Sequence, residues 1–300
     1  MRFNKPYTVA ELLFTLDYSE GYLQGDSQSV IFGFSDDYFV KENELTWTEN
    51  KQVLNTLLKK ECLTIITNLK CGISNGNINI IACDNPLRMF EAIIDNCFSW
   101  PRKTQHIGHN THIHETAILG DNVHIGDNCH IAPYVVIGDN VVIGNNVEIS
   151  PFSAIGNNPY YTLWDKKHVL RTRNIYGNVD IGNNVSIGSH CSIDNGITCT
   201  TEIGDNSRIG NFVEIGHDVK IGKNCCICAQ TAIGGYVSMG NDCVLWGRSG
   251  IANRINIASN TTILASSILT KNVLNEGQSY CGFPAVERIK YWRNMVKYNK

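Results

Sequence analysis

The stretch Ile203-Gly-Asp-Asn-Ser-Arg-Ile209-Gly-Asn-Phe-Val-Glu-Ile215-Gly-His-Asp-Val-Lys-Ile221 places isoleucine at every sixth position, and the same spacing of aliphatic residues continues to Ile263. A period of six fits neither an α-helix nor the simple alternation of a strand, so it indicates a repeat architecture. Glycine and asparagine follow the isoleucines, and both tolerate the positive φ angles of tight corners. The pattern predicts short strands separated by corners, with the isoleucines in a shared core.

The same spacing runs from Ile107 to Ile155 and resumes at Ile175 after an interruption rich in aromatic and charged residues. A smaller interruption separates Ile193 from Ile203. The pattern resembles that of hexapeptide-repeat proteins, in which three hexapeptides close one triangular coil of a left-handed parallel β-helix. A regular prism of this kind has no deep cleft of its own. We therefore expect a binding pocket at the two interruptions.

Composition limits the class of protein. The 300 residues carry a net charge of −3 and contain no run of lysine or arginine, which argues against nucleic acid as a partner. There is no signal-peptide core at the N-terminus and no apolar run long enough to span a bilayer, so we expect a cytoplasmic protein without a transmembrane segment. Cysteines at core positions of the repeat are expected to act as small hydrophobic residues: Cys129, Cys191, Cys225 and Cys243.

The sequence divides into three parts: an α/β domain over 1–100, the β-helix over 101–281 and a short C-terminal helix over 282–300. In the first part, Thr8 and Glu11 have the spacing of a capping box, which predicts a helix over 10–16. Short apolar runs predict strands over 63–67 and 78–82, and Pro86 is expected to begin a second helix. The protein is thus predicted to be mainly β.

Two groups of side chains outside the core pattern could bind a ligand. Trp47, three residues before Asn50, offers a stacking face and a hydrogen-bonding edge that could hold a nucleobase, although a single tryptophan is more often part of a core. Histidines crowd the first coils, but their spacing follows the repeat, and no set of cysteines or carboxylates converges with them. We therefore predict no metal site and interpret these histidines as structural surface residues.

His217 lies two residues after the core position Ile215 and is expected to project from the coil. One coil later the same position is Gly235, so an exposed backbone would lie one strand spacing from the imidazole. Acyl transfer requires such a pair, in which a base accepts the nucleophile's proton and an N–H stabilises the oxyanion. The second interruption places Asp194 and Asn195 nearby as orienting groups or substrate contacts. The sequence does not determine which group orients His217. The alternative is an exposed histidine without a function.

The motif Ile193-Asp-Asn-Gly, followed by Gly-Asn211-Phe-Val-Glu-Ile-Gly-His217-Asp and by Gly282-Phe-Pro-Ala, resembles the signature of the UDP-3-O-acylglucosamine N-acyltransferases of lipid A biosynthesis. The resemblance extends over nearly the whole chain. It implies that His217 is the general base, that Gly235 donates to the oxyanion and that Asn211 contacts the nucleotide sugar. It also implies that Trp47 and Asn50 bind the base.

This chain departs from the family pattern at three places. The second aromatic residue that stacks on the base is Val53 here. The usual Gly-His pair one coil after the oxyanion glycine is Asn253-Arg254, which lies where the acyl donor is expected. The helical C-terminal extension is short, and its Arg288 and Arg293 are expected to contact an acidic carrier protein or the phosphates of coenzyme A. The alternative for this last segment is a solvated basic face that only packs on the final coil.

The sequence therefore predicts an N-acyltransferase that moves an acyl group from a phosphopantetheine thioester, carried by acyl carrier protein, to a UDP-linked amino sugar of the lipid A type. It predicts a homotrimer and no tightly bound cofactor. One alternative is an N-acyltransferase that uses acetyl- or short-acyl-coenzyme A and acts on another nucleotide amino sugar for surface glycans. The other is a β-helix scaffold without catalytic activity.

Overall fold

The computed structural model describes residues 1–16, 22–71, 77–101, 105–164 and 168–282. Its N-terminal part is a six-stranded sheet with three helices. The elements in chain order are β1 (Arg2–Thr8), α1 (Val9–Phe14), β2 (Tyr22–Gln24), β3 (Val30–Phe34), β4 (Glu44–Thr48), α2 (Lys51–Leu57), β5 (Thr64–Thr67), β6 (Asn79–Ala82) and α3 (Pro86–Cys97).

The strand order in this sheet is β1-β3-β4-β5-β6-β2, with β3 to β6 mutually parallel and the two outer strands antiparallel to their neighbours. The capping box is present, since Thr8 Oγ1 accepts the Glu11 N–H at 3.1 Å and Glu11 accepts the Thr8 N–H at 2.7 Å. Helix α3 begins at Pro86, as predicted, and buries an apolar stripe that includes Phe90 and Ile93 against the sheet.

The second part is a parallel β-helix with three faces, each a ladder of very short strands. The first face contains His106–Ile107, His124–Ile125, Val142–Ile143, Asn178–Ile181, Thr200–Ile203, Lys220–Ile221, Ser238–Met239 and Asn256–Ile257. The second contains His112–Ile113, His130–Ile131, Glu148–Ile149, Ser186–Ile187, Arg208–Ile209, Cys226–Ile227, Val244–Leu245, Thr262–Ile263 and Ser279–Tyr280. The third contains Ile118–Leu119, Val136–Ile137, Ala154–Asn157, Ser192–Asp194, Glu214–Ile215, Ala232–Ile233, Gly250–Ile251 and Ile268–Leu269.

The register confirms the predicted coil. Ile215 pairs with Ile233 one coil later, and the core isoleucines stack in continuous columns. Burial of each such side chain contributes about 1.5–3 kcal/mol. The four cysteines at core positions are buried as predicted, at Cys129, Cys191, Cys225 and Cys243. Most corners are turned by a residue with φ near +60°, commonly asparagine.

The core columns continue across both interruptions, with one irregularity in the third face between Ile155 and Asn157. Across the first, Ile143 pairs with Ile181, and the inserted residues include an antiparallel hairpin of Thr162–Trp164 and Leu170–Thr172. Across the second, Ile181 pairs with Ile203. The ladder therefore continues while the extra residues leave the prism. The division at residues 100 and 281 stays a prediction, and the predicted helix over 282–300 lies almost wholly outside the described residues.

Candidate active site

His217 follows the strand Glu214–Ile215 at the corner between the third and first faces. It is only 8% exposed. Its ring lies edge-to-face against Tyr161 and Tyr236, with centroids 4.9 Å away in each case. The sequence predicted an outward projection from the coil, and the corner position agrees with this. The burial was not predicted, because Tyr161 comes from the first interruption and reaches the corner only in the folded chain.

Asp218 orients the imidazole. His217 Nδ1 lies 2.9 Å from Asp218 Oδ2, and Asp218 is fully buried. The same carboxylate accepts backbone N–H groups from the second interruption, at 2.9 Å from Ile197, 3.3 Å from Thr198 and 2.8 Å from Cys199. The extra residues between Ile193 and Ile203 thus wrap the carboxylate that holds the base. A carboxylate on Nδ1 fixes the ring and leaves Nε2 for chemistry.

Asp218 was not among the sequence-predicted site residues. Its signal is visible in retrospect, because it directly follows His217 and the second interruption lies one coil earlier. Asp218 has a φ of 56°, the corner conformation that other residues, often asparagine, adopt in most other coils. Periodicity alone assigns this position to a solvated corner. Only the inserted amides, which lie some twenty residues earlier in sequence, make it a buried acceptor.

Gly235 faces the free side of the imidazole. A Cβ atom at this position would lie 2.4 Å from His217 Nε2 and 2.5 Å from Cε1. Only glycine fits this close approach without displacing the ring. The structure therefore brings His217 and Gly235 together one coil apart, with a bare backbone opposite Nε2.

A cavity of about 1120 Å³ lies where the N-terminal domain meets the first interruption. It contacts the candidate base through Tyr161, which lines the cavity and packs against His217. Aromatic, acidic and arginine side chains from both parts of the chain form its wall. They are Asp36, Asp37, Trp47, Thr48, Glu49, Asn50, Val53, Asn85, Leu87, Arg88, Glu91, Tyr161, Leu163, Trp164, Arg171, Arg173 and Arg254. The predicted location of a pocket at the interruptions is confirmed for the first of them.

Trp47 and Asn50 both line this cavity, and both also have structural contacts. The Trp47 Nε1–H donates to Asp36 at 3.0 Å, and the Arg173 guanidinium lies 5.5 Å from the indole ring. Asn50 caps α2, because its Oδ1 accepts the N–H groups of Gln52 at 2.8 Å and Val53 at 3.3 Å. The two interpretations of Trp47, core residue and ligand contact, are therefore compatible in the same side chain.

A buried ion-pair cluster supports the cavity wall. Arg173 contacts Asp36 at 3.1 Å and Glu91 at 3.2 Å. Burial would raise the pKa of Asp36, but the charge of Arg173 and hydrogen bonds from Tyr236 and Trp47 lower it below its ordinary value. For Glu91 burial is dominant, and its pKa is raised despite Arg173. Neither Arg173 nor Asp36 was predicted as a site residue from the sequence, in which they are 137 residues apart.

Asp194 and Asn195 lie in the coil before His217 with different environments. Asp194 is partly buried, and burial together with Glu214 raises its pKa to about 6, against the opposing influence of His217. Asn195 is buried, and its Nδ2 donates to the Gly156 carbonyl at 3.0 Å. Asn195 therefore joins the second interruption to the strand Ala154–Asn157 of the neighbouring coil, whereas Asp194 keeps a carboxylate near the base.

Two other predicted groups lie elsewhere. Asn211 is at the corner between the second and third faces, where its Oδ1 accepts the Ser189 N–H at 2.9 Å, so the structure does not bring it to His217 within one chain. Arg254 lines the cavity, pairs with Asp37 at 3.3 Å and lies over the Tyr236 ring. Its neighbour Asn253 is exposed beside Gly234. Arg288 and Arg293 lie outside the described residues.

Within the described ranges, no group of three or more histidine, cysteine, aspartate or glutamate residues could hold a metal ion. Among the described helices, none is both long and apolar enough to cross a membrane. In the first coils, His106 stacks on His124 and His112 on His130, with ring centroids 6.2 Å and 5.3 Å apart. These histidines follow the ladder, as expected of surface residues.

The chain matches the bacterial transferase hexapeptide model, which describes six repeats, over residues 106–139, 122–157 and 200–235. The last match contains both His217 and Gly235. The chain is 38% identical over 69 residues to UDP-3-O-acylglucosamine N-acyltransferase 2 of Sulfurimonas denitrificans, and the alignment covers 23% of this chain and 22% of the relative. It is 37% identical over 74 residues to a probable mitochondrial UDP-3-O-acylglucosamine N-acyltransferase 2 of Arabidopsis thaliana, covering 25% of this chain and 24% of the relative. The matched region thus spans less than a quarter of either relative's length.

Among solved structures, the chain is similar to UDP-N-acetylglucosamine acyltransferase from Campylobacter jejuni, with a TM-score of 0.51 and 23% identity over 57% of this chain and 64% of that one. This likeness concerns the fold, and the predicted left-handed parallel β-helix is confirmed. Taken with the repeat match, it identifies the chain as a left-handed β-helix protein with bacterial transferase hexapeptide repeats, similar in sequence to UDP-3-O-acylglucosamine N-acyltransferases.

Proposed function

We propose that the protein is an N-acyltransferase that transfers an acyl group from a phosphopantetheine thioester to the amino group of a nucleotide-linked amino sugar. One observation carries this proposal: an imidazole held at Nδ1 by a buried carboxylate faces the bare backbone of Gly235 with Nε2. A base opposite an exposed backbone is the arrangement that acyl transfer needs. The names of the relatives, which are nucleotide-sugar acyltransferases, support the same reaction class.

In the proposed reaction, the sugar amine attacks the thioester carbonyl carbon while His217 Nε2 accepts a proton from the nitrogen. The Gly235 N–H donates to the oxyanion that forms. As the C–N bond is completed, the C–S bond breaks, and His217 returns the proton to the leaving thiolate. Asp218 stabilises the imidazolium that exists between the two proton transfers. The products are an amide on the sugar and a free thiol on the pantetheine arm.

The cavity supports a nucleotide sugar as acceptor. Its volume of about 1120 Å³ is ample for a dinucleotide-sized ligand, and Tyr161 joins it to the base. Trp47 offers an aromatic surface for a nucleobase, and the exposed Arg88 offers charge for phosphate groups. Val53, in place of the second aromatic residue, leaves one face of the base against an aliphatic wall. Asp194, whose pKa is influenced by His217, offers a carboxylate that can accept a hydrogen bond from the sugar amine.

Acyl carrier protein is the proposed donor for a substrate of the lipid A type, and coenzyme A is the alternative. Asn211 at a different corner from His217 supports a homotrimer, because a neighbouring subunit could bring its Asn211 to the open side of the site. A cytoplasmic location would follow from these partners.

The test is a search for the acylated product by mass spectrometry. Purified protein is incubated with a UDP-linked amino sugar and with either an acyl carrier protein or coenzyme A thioester. We expect an amide product with at least one donor, and His217→Ala should abolish it while circular dichroism shows an intact β-helix. Equal product from wild type and His217→Ala, or none with any amino sugar, would favour a scaffold without catalytic activity.

A further inference from the structure

Asp36 of the N-terminal domain is linked to both His217 and Asp218, in each case through one intervening residue. Asp36 is 3% exposed. Its carboxylate accepts the hydroxyl of Tyr236, and its backbone N–H donates to Thr198 Oγ1 at 2.9 Å. Tyr236 and Thr198 belong to different coils of the β-helix.

The first route leads to the imidazole. Tyr236 is 2% exposed, its ring lies edge-to-face against His217 with centroids 4.9 Å apart, and its N–H donates to the His217 carbonyl at 3.0 Å. The tyrosine ring is therefore fixed at both ends, by Asp36 at the hydroxyl and by the ladder at the backbone. An imidazole that packs against this ring has little freedom to tilt.

The second route leads to the carboxylate that orients the imidazole. Thr198 accepts from Asp36 with its hydroxyl and donates its own backbone N–H to Asp218 Oδ1 at 3.3 Å. Thr198 is fully buried. One of the three residues whose amides hold Asp218 is thus itself held by the N-terminal domain.

Several donors hold the Asp36 carboxylate in place. Trp47 Nε1 donates to it at 3.0 Å, and Arg173 Nη1 donates to both of its oxygens at 3.1 Å and 3.2 Å. A buried carboxylate with this many donors keeps one orientation. Because Trp47 and Arg173 also line the cavity, the wall of the nucleotide site and the support of the base share this residue.

We infer that Asp36 and Tyr236 are positioning residues for the proposed reaction, so that the N-terminal domain contributes to the chemical step as well as to substrate binding. The inference rests on the proposed function. Small errors in the placement of a general base are costly, since proton transfer needs a heavy-atom distance within hydrogen-bond reach. Docking of the first domain onto the β-helix sets that placement.

The experiment removes one hydroxyl. Tyr236→Phe keeps the ring against His217 and loses the bond to Asp36. We expect kcat to fall about tenfold, because one charge-assisted hydrogen bond is lost, and the KM for nucleotide sugar to stay unchanged. Tyr38→Phe is the matched control, because the Tyr38 hydroxyl binds the Arg254 carbonyl at 3.2 Å in the same region and does not contact His217. The control should retain the wild-type kcat.

A second variant and a readout without turnover complete the test. Thr198→Val, which loses only the hydroxyl bond to Asp36, should also lower kcat. The fold loss of kcat in the double variant of Tyr236→Phe and Thr198→Val should be smaller than the product of the two single losses. The ¹⁵N signals of the His217 ring should shift in Tyr236→Phe and stay in place in Tyr38→Phe. Unchanged kcat and unchanged ring signals in both altered proteins, with only a lower Tm, would overturn the inference. A wild type that transfers no acyl group overturns the proposed function instead, and the ring signals still decide the positioning.

Discussion

The corner between the third and first faces differs on the two sides of the interruptions. Before them, Asn122 and Asn140 turn the corner with φ near 60° and form an amide ladder, with Asn122 Nδ2 2.7 Å from Asn140 Oδ1. After them, the same corner carries Asp218, Tyr236 and Arg254, again with φ near 60°. The backbone is the same in both regions, yet the first is a partly solvated ladder, whereas Asp218 and Tyr236 of the second are buried.

The difference comes from what covers the corner. Among the residues that the structure describes, Asn140 bonds to its own and neighbouring coils, whereas Asp218 accepts three amides of the second interruption. Tyr161 of the first interruption then covers His217. The inserted residues exclude water from this one corner of the repeat. Hydrogen bonds there are stronger because the local dielectric is lower, and this makes the corner suitable for a site.

The largest expected effect separates the two regions directly. His217→Ala should lower kcat by about 10²–10⁴, the usual contribution of a general base, whereas Asn140→Ala at the same corner should leave kcat unchanged. Steady-state kinetics at saturating substrates provide the measurement, with circular dichroism as the check on folding. A loss smaller than tenfold for His217→Ala would remove this residue from the mechanism.

Gly235→Ala should follow closely. The added Cβ would lie 2.4 Å from His217 Nε2, so the ring must move away from its partner backbone. We expect a loss of about 10²–10³ in kcat, comparable to removal of an oxyanion donor. Gly250→Ala is the matched control, since a Cβ there has its nearest neighbour at 3.7 Å, an ordinary contact. Equal rates for the two alanine variants would refute the close approach.

Asp218→Asn tests the feature that distinguishes the two corners most clearly. The amide keeps the shape but loses the charge that holds His217 and the three backbone donors, and its NH₂ group is a donor that cannot accept from the N–H groups facing it. We expect kcat to fall about 10–100-fold, with a loss of about 1–3 kcal/mol in the free energy of unfolding. Urea unfolding and kinetics on one preparation measure both. Asparagine at this position with full activity would mean that shape alone orients the ring.

Trp47 should affect binding much more than chemistry, because Arg173 and Tyr236 still hold Asp36 when the indole N–H is lost. Trp47→Ala should weaken nucleotide-sugar binding by about 1–3 kcal/mol if base stacking on an aromatic residue is a fair guide. Trp47→Phe keeps an aromatic surface and loses the N–H to Asp36, so it should retain most of the affinity. Calorimetry with UDP and a UDP-linked amino sugar makes the comparison, with Trp246→Ala as a control on an exposed tryptophan. Equal affinity for all four proteins would make Trp47 a core residue only.

The smallest effect concerns Asp194, whose pKa is raised from 3.8 to about 6. A carboxyl whose pKa is higher in the folded chain than in the unfolded chain stabilises the folded state when it is protonated. This stabilisation is complete below about pH 4 and is lost as the pH rises through 6. Asp194→Asn removes this dependence. The Tm of the wild type relative to the variant should therefore fall between pH 4.5 and 7.5, by roughly 2 °C because partial exposure screens the charge. A difference in Tm that is constant over this range would contradict the raised pKa.

The sequence determined the repeat and everything that follows from its register. A core residue at every sixth position is a local property, so it predicts the strands, the buried cysteines and the stacking of His217 on Gly235 without knowledge of distant contacts. The two interruptions were visible for the same reason. The capping box and the start of α3 at Pro86 were also predictable, because caps depend on residues three positions apart.

The tertiary structure decided what surrounds the base. The bond of Asp36 to Tyr236 joins residues 200 apart, and that of Arg173 to Asp36 joins residues 137 apart. No periodicity encodes such pairs, because they depend on how one domain docks on a face of the other. Asp218 belongs to this second group although it is adjacent to His217, since its position in the repeat is that of a solvated corner. It is buried because the four-residue insertion in the preceding coil directs three backbone amides at it, and that is a consequence of packing.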